Sequence, residues 1–160
     1  MKAFSADNIR YGRVVLAAAF ITAFIFQQAH AADMISYDLD EDGRINMSLT
    51  GQDGDPVKGA GVAANRKLGN CMACHQITAL SDQAFHGEIG PALDGVADRY
   101  DEGELRSLVV NPKIYFAETV MPGFYRTDGL HRVMKGFEGK PILTAAEVEH
   151  VVAFLKTLKD

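Results

Sequence analysis

The chain has 160 residues, with 16 Lys and Arg against 21 Asp and Glu and a formal net charge of −5. This length suits one ordinary domain preceded by a short processed segment. The acidic balance disfavours nucleic acid as a partner and favours a basic surface on another protein.

Residues 1–31 have the pattern of a secretory signal peptide. Three basic residues precede the apolar run "VVLAAAFITAFIF", which leads to an A-x-A cleavage site in "QQAHA". The run is shorter than the roughly 20 apolar residues that a membrane-spanning helix needs. We therefore predict cleavage before Ala32 and a periplasmic product with no membrane segment. An uncleaved anchor is the alternative.

Residues 32–54 form an acidic N-terminal extension. Within it, "DLDEDGRINMSL" places Asp38, Asp40 and Asp42 at the first, third and fifth positions of an EF-hand calcium loop. Leu49 stands at the twelfth position, where that loop needs a bidentate glutamate. We therefore predict a solvated acidic turn and not a calcium site.

Three helices are predicted in residues 55–160, because three capping residues precede helical patterns. Asp55 caps the first helix and Asp101 caps the second. Thr144 caps the third, and Glu147 completes a capping box. The predicted elements are helices over 56–68, 102–110 and 145–159, with shorter turns near 92–98 and 129–136.

Between the first two helices, the segment "GNCMACHQ" contains both cysteines of the chain. Cys71 and Cys74 are followed directly by His75. Two thiols at this spacing can each add to one vinyl group of a haem, and the next imidazole can bind its iron. We therefore predict one covalently bound haem c with His75 as the proximal iron ligand.

Two other kinds of site use paired cysteines. A thiol–disulfide redox protein carries C-x-x-C where a strand enters a helix, whereas a helix is predicted before Cys71. A zinc site needs four ligands, and His86, His131 and His150 are too scattered to complete one. The first two of these histidines lie in loops, and His150 lies opposite the apolar stripe of the last helix, so all three are predicted to face solvent. The thiol–disulfide protein remains an alternative from another functional class.

A second axial ligand of the iron is predicted in the segment "ETVMPGFY". Pro122 biases Met121 toward an extended backbone, so this loop can hold a thioether rigidly against a flat cofactor. Met134 is the other candidate, but it is predicted to fill a gap in the core. A His/Met pair raises the reduction potential relative to two imidazoles, and a six-coordinate iron indicates electron transfer.

Several segments in this order resemble the class I cytochromes c: "CMACH", "GEIGPAL", "VMPGF" and the capped last helix. The resemblance covers the chain from about Asp55 onward. It implies an all-α fold of about four helices around one haem. It also implies that the Pro91 carbonyl accepts a hydrogen bond from His75, and that Gly59 meets Phe154 where the first and last helices cross.

More narrowly, "SLTGQDGDPVKG", "NPKIYFAETVMPGFYR" and "GKPILTAAEVEHVVAFLKTL" resemble the SoxX family, the monohaem subunits of the SoxAX cytochromes of bacterial sulfur oxidation. The resemblance implies an electron-relay subunit without catalytic residues of its own. Such complexes act as L-cysteine S-thiosulfotransferases: at the haem of the SoxA-type subunit, thiosulfate is joined oxidatively to the cysteine of the SoxYZ carrier. The SoxX subunit passes the electrons to a small acceptor cytochrome.

The resemblance therefore predicts a heterodimer with a SoxA-type subunit. The extension, residues 32–54, is longer than wrapping a haem requires, and a disordered tail would leave its apolar side chains in water. We predict that these side chains pack against the SoxA-type partner. A freely diffusing monohaem cytochrome c that serves another periplasmic redox chain is the alternative.

Overall fold

A computed structural model describes residues 34–160 of the chain. The predicted signal peptide, residues 1–31, lies outside the described residues. Within the described part, no helix is both long enough and apolar enough to cross a bilayer.

The described residues contain four α-helices and no strand. The helices are α1 (Pro56–Ala64), α2 (Val96–Arg99), α3 (Glu102–Val110) and α4 (Ala145–Leu155). Single turns of 3₁₀-helix lie at Cys71–Ala73, Thr78–Leu80, Pro112–Ile114 and Lys135–Phe137. The predicted all-α fold of about four helices is confirmed.

Side-chain caps begin three of these helices where the sequence predicts them. The Asp55 carboxylate accepts hydrogen bonds from the backbone of the first turn of α1. Asp101 with Glu104, and Thr144 with Glu147, form capping boxes at the starts of α3 and α4. These caps satisfy N–H groups that have no partner inside the helix.

The ends of two helices come earlier than predicted. The first ends at Ala64 because Asn65 takes an extended backbone, and its side chain accepts a hydrogen bond from the Lys67 N–H at 2.9 Å. This local bond competes with continued helix. The last helix ends at Leu155, and the Thr157 hydroxyl then donates to a carbonyl of the final turn at 2.6 Å.

The first and last helices cross at Gly59. A Cβ atom at this position would lie 1.9 Å from the His150 carbonyl oxygen and 2.7 Å from the Cβ of Phe154. Only glycine allows so close an approach of two backbones. The predicted contact of Gly59 with Phe154 is therefore confirmed.

The prediction that His150 faces water is wrong. Its side chain is half-buried, and Nδ1 accepts a hydrogen bond from the Asp55 N–H at 2.9 Å. The segment before α1 crosses the outer side of α4, where a Cβ on Gly54 would lie 1.9 Å from the Glu149 carbonyl oxygen. This segment covers the face of α4 that lies opposite its apolar stripe.

The acidic extension is part of the hydrophobic core. Ile45 is 1% exposed and Leu49 is 4% exposed, and both pack with apolar side chains of the helices. For these two residues, the prediction that the extension keeps its apolar side chains for a partner protein is wrong. Ile35, Leu39 and Met47 do remain exposed.

A buried ion pair holds the extension to α3 and α4. Arg106 Nε donates to Glu149 Oε1 at 2.9 Å, and the two side chains are 2% and 3% exposed. Arg106 Nη1 also donates to the Ile45 carbonyl at 2.8 Å, and the Leu49 N–H donates to Glu149 Oε1 at 2.8 Å. The Ile45 N–H donates to the Ser107 hydroxyl at 2.9 Å. The backbone of the extension thus supplies hydrogen bonds that these buried charges need.

The predicted acidic turn is closed around Asp40. Its carboxylate accepts hydrogen bonds from the backbone N–H groups of Asp42 and Arg44 and from the side chain of Asn46, at 3.0, 2.8 and 2.8 Å. These donors, the Arg44 N–H first, hold the pKa of Asp40 below its ordinary value. The hydrogen bonds that close the turn around the Asp40 carboxylate thus come from the protein itself.

Candidate haem site

The two cysteines lie on one tight turn. Cys71 begins the 3₁₀ turn, and its carbonyl accepts hydrogen bonds from the N–H groups of Cys74 and His75 at 3.1 and 3.0 Å. Both thiols are free, and burial raises the pKa of the Cys71 thiol to about 11. The turn therefore presents two sulfur atoms and an imidazole within five residues, as the motif predicts.

A glycine-containing segment, residues 87–91, packs against this turn. We call it the proximal loop. The Gly87 N–H donates to the Met72 carbonyl at 2.7 Å, and the Gly90 N–H donates to the Cys74 carbonyl at 2.8 Å. The backbone of the proximal loop is thus bonded to both halves of the cysteine turn.

The proximal loop also orients His75. Its Nδ1 lies 2.6 Å from the Pro91 carbonyl oxygen. A carbonyl can only accept, so Nδ1 carries the proton, and in the neutral ring Nε2 keeps a free lone pair. That tautomer is the one able to bind a metal through Nε2. A Cβ on Gly90 would lie 2.3 Å from Cε1 of the imidazole, so a side chain here would displace the ring.

A cavity of about 680 Å³ lies against Met121. Its volume falls in the range of roughly 300–1,000 Å³ that is typical of cofactor pockets. Its apolar wall includes Leu68, three residues before Cys71, and it continues with Met121, Pro122, Val133, Phe137 and Ile142.

Basic side chains also border this cavity, and its lining among the described residues contains no acid. They are Arg66, Lys67, Lys113, Arg126 and Lys140. A haem has a flat apolar ring and two anionic propionates, so apolar walls with basic groups fit it. The protein's net charge of −5 therefore does not describe the surface around the cavity.

Both candidate methionines border the cavity. Met121 is half-buried and packs against the core, and its N–H donates to the Thr119 hydroxyl at 3.1 Å. Met134 is 70% exposed at the rim, so the prediction that it fills a gap in the core is wrong. The segment around it lies at the surface, where Leu130 is also exposed.

His86 has a structural role that its sequence context does not reveal. Its ring is half-buried, Nδ1 accepts a hydrogen bond from the Ile77 N–H at 3.1 Å, and Nε2 lies 3.1 Å from the Leu80 carbonyl oxygen. The prediction of a solvated loop residue is wrong for His86, whereas His131 is exposed as predicted. The His86 ring fixes the loop that connects His75 to the proximal loop.

Lys113 also has a structural role. Its ammonium group donates to the carbonyls of Ala117 and Thr119 at 3.0 and 2.9 Å, and so shapes the segment that leads to Met121. The sequence gives no signal for this role, because the bonds depend on how the loop folds back.

Comparison with known proteins agrees with this geometry. The cytochrome c family matches residues 56–159. A chain in the crystal structure of SoxXA from P. pantotrophus is 46% identical to this chain, with a TM-score of 0.72, and the match covers 78% of this chain and 95% of that chain. No curated protein matches. The family match together with the pair Cys71 and Cys74 identifies the cofactor as covalently bound haem c. The chain is an electron carrier that belongs to the cytochrome c family.

Proposed function

We propose that the chain is a SoxX-type electron-relay subunit of a periplasmic SoxAX complex. The similarity to a SoxXA chain, 46% identity over 95% of that chain, is the observation that carries the proposal. In such a complex, the SoxA-type subunit joins thiosulfate to the cysteine of the SoxYZ carrier. The present chain takes up the released electrons and passes them to a small acceptor cytochrome. The signal peptide predicted at residues 1–31 would bring the chain to the periplasm.

We assign the haem contacts within this proposal as follows. Cys71 and Cys74 carry the thioether links, and His75 and Met121 bind the iron. The position of both thiols on one turn and the protonation of His75 at Nδ1 support this assignment. Pro91 keeps the Nε2 lone pair of His75 available. The haem, when bound, supplies the one-electron chemistry, and the His/Met pair raises its reduction potential.

The basic side chains around the cavity have two tasks in this proposal. Some neutralise the haem propionates. The others give the rim a positive charge, which fits an acidic surface on a partner that receives or delivers electrons there. The acidic turn around Asp40 belongs to a different part of the sequence and suits a basic surface. The net charge of the chain alone predicts only the basic partner surface.

The thiol–disulfide alternative receives no support from the site. Redox-active cysteines in C-x-x-C motifs have lowered pKa values, because the thiolate is the reactive form. Here burial raises the pKa of Cys71 to about 11. A freely diffusing cytochrome c remains the alternative, because it would share every haem contact assigned above.

Coexpression with a SoxA-type subunit separates the two functions. A relay subunit should elute with its partner as a heterodimer at both low and high salt, because permanent interfaces are large and apolar. A free carrier uses small, salt-sensitive contacts. Elution as a monomer beside its coexpressed partner at low salt would refute the relay proposal.

The exposed apolar side chains of the extension offer a sharper test of that interface. Leu39 and Met47 are exposed, so replacing both by Ser should weaken the heterodimer and leave the fold intact. Val57→Ser is the matched control, because Val57 is 80% exposed on α1. Deleting the whole extension is unsuitable, because it would also remove Ile45 and Leu49 from the core.

The distal ligand is tested by a pair of methionine variants. Met121→Ala should abolish the weak long-wavelength absorption band that arises from sulfur-to-iron charge transfer, and it should lower the reduction potential. Met134→Ala should leave both nearly unchanged. The reverse pattern would assign the ligand to Met134.

A further inference from the structure

The first described residues of the extension lie on the loop that carries Met121. We call residues 34–37 the N-terminal strap and residues 117–127 the distal loop. The Ile35 N–H donates to the Tyr125 hydroxyl at 2.7 Å, and the Thr127 hydroxyl donates to the sulfur of Met34 at 3.3 Å. The strap thus contacts residues that are 90 or more positions away in the sequence.

The distal loop has two sides. On one side, Met121 and Arg126 border the cavity of about 680 Å³ that we propose for the haem. On the other side, Tyr125 and Thr127 contact the strap. The same short segment therefore makes both sets of contacts.

The distal loop has few other attachments near Met121. In the described structure, the hydrogen bonds of residues 117–123 are made only with residues 113–121. Val120 is 84% exposed. A segment with exposed side chains and only local hydrogen bonds opens at low cost unless neighbouring residues hold it.

Tyr125 joins the strap to the rigid part of the fold. Its ring is 2% exposed, and its N–H donates to the Val110 carbonyl at the end of α3, at 3.2 Å. The adjacent Phe124 N–H donates to the Val109 carbonyl at 3.1 Å. Tyr125 therefore connects the end of α3 to the strap, with its N–H bonded to α3 and its hydroxyl bonded to Ile35.

We infer that Tyr125 is a positioning residue, and that docking of the N-terminal strap on its hydroxyl holds Met121 against the haem cavity. The inference rests on the proposed role of Met121 as an iron ligand. By this inference the extension has a structural role within the subunit, in addition to any contact with a partner.

The test uses the haem-loaded chain and guanidinium titration. Two signals are followed: the sulfur-to-iron band, which reports Met121, and far-UV circular dichroism, which reports the helices. Tyr125→Phe keeps the ring and removes the acceptor oxygen. We expect the equilibrium constant for loss of the band to rise about 5- to 10-fold, the usual effect of one hydrogen bond, while the helix transition moves less.

Tyr100→Phe is the matched control, because Tyr100 is half-buried and its hydroxyl makes no hydrogen bond in the described structure. It should leave the transition of the band unchanged. Deletion of residues 34–37 should lower the midpoint of the band by at least as much as Tyr125→Phe does, because it also removes the contact of Met34 with Thr127. Adding Tyr125→Phe to the deletion should lower the midpoint no further, because the deletion already removes the contact with the Tyr125 hydroxyl.

The outcomes distinguish the inference from the ligand assignment. If Met121→Ala abolishes the band but Tyr125→Phe leaves its transition unchanged, the inference is wrong and the ligand assignment stands. Additive effects of Tyr125→Phe and the deletion of residues 34–37 would also refute the inference. So would a transition of the band that shifts only as much as the transition of the helix signal. If Met121→Ala keeps the band, both fail.

Discussion

The two sides that we propose for the haem site, with His75 on the proximal side and Met121 on the distal side, are built in different ways. On the proximal side, the contacts that place His75 connect residues close in sequence. His75 and Pro91 are 16 positions apart. On the distal side, Tyr125 receives its strap contact from Ile35, which lies 90 positions earlier. The proximal side is therefore a local structure, whereas the distal side depends on the assembled fold.

This difference predicts how each side fails. Damage to the proximal side should follow from changes within residues 71–91 and should appear directly in the haem attachment. Damage to the distal side should follow from changes anywhere along the extension or its anchors on α3 and α4. Four experiments test this contrast.

The largest effect is expected when both cysteines are removed. Cys71→Ala with Cys74→Ala should abolish covalent attachment, because no other cysteine is present in the chain. A haem-stained denaturing gel should show a band for the parent chain and none for the double variant. Each single variant should keep one thioether link and serves as the control. Haem that survives denaturation on the double variant would contradict the assignment.

Breaking the buried ion pair should be the next largest effect. Arg106→Met leaves the Glu149 carboxylate buried without its cation, which typically costs about 3–5 kcal/mol. The expected result is a large fall in the guanidinium midpoint of the helix signal. Lys156→Met is the control, because Lys156 pairs with Glu102 at the surface, where both side chains are exposed. Such surface pairs contribute about 1 kcal/mol or less. Equal losses in the two variants would contradict the prediction.

A change in the proximal loop should have a smaller effect on stability. In Gly90→Ala the new methyl group would meet the His75 ring at 2.3 Å, and relieving such a clash costs about 1–3 kcal/mol. We expect a lower unfolding midpoint and an altered haem spectrum, because the imidazole must turn. Gly61→Ala is the control: no atom lies within 4 Å of its added Cβ, and alanine favours a helix over glycine by about 0.5–1 kcal/mol. A Gly90 variant with an unaltered spectrum would contradict the proximal role.

The smallest effect concerns pH and the acidic turn of the extension. The pKa of Asp40 is lowered from 3.8 in the folded chain, chiefly by the Arg44 N–H and the Asn46 side chain. A carboxyl group with a lowered folded pKa stabilises the fold above its unfolded pKa, and that stability is lost as the pH falls through the folded value. Asp40→Asn keeps an acceptor oxygen but does not titrate. Its unfolding midpoint should therefore fall less between about pH 5 and pH 2 than that of the parent chain. If the unfolding midpoints of the variant and the parent chain fall in parallel with pH, Asp40 does not contribute to the pH dependence of stability.

The same contrast explains what could be predicted from the sequence. The cysteine turn and its haem c, the caps at Asp55 and Asp101 and the crossing of helices at Gly59 depend on short motifs or on a family pattern, and they agree with the structure and the comparisons. The assignment of Met121 and His75 to the iron stays a prediction, as does the signal peptide.

The failures at His150 and in the extension involve contacts between distant segments. The pattern of its own helix predicts that His150 faces water, yet the Asp55 N–H bonds to it from 95 positions away. Arg106 and Glu149 resemble ordinary surface charges in the sequence, and only the fold reveals that they are buried together. Sequence patterns describe which face of a helix is apolar, but not which loop will cross its other face.

The hydrogen bond between Leu49 and Glu149 has a consequence for the order in which the chain folds. These residues are 100 positions apart, so the contact cannot form until α4 is present, and contacts so distant in sequence form slowly. The cysteine turn can form from neighbouring residues alone. We therefore expect Cys71 and Cys74 to be accessible to the haem-ligation machinery while the extension is still undocked. The extension would then pack against α3 and α4 last, after the haem is attached.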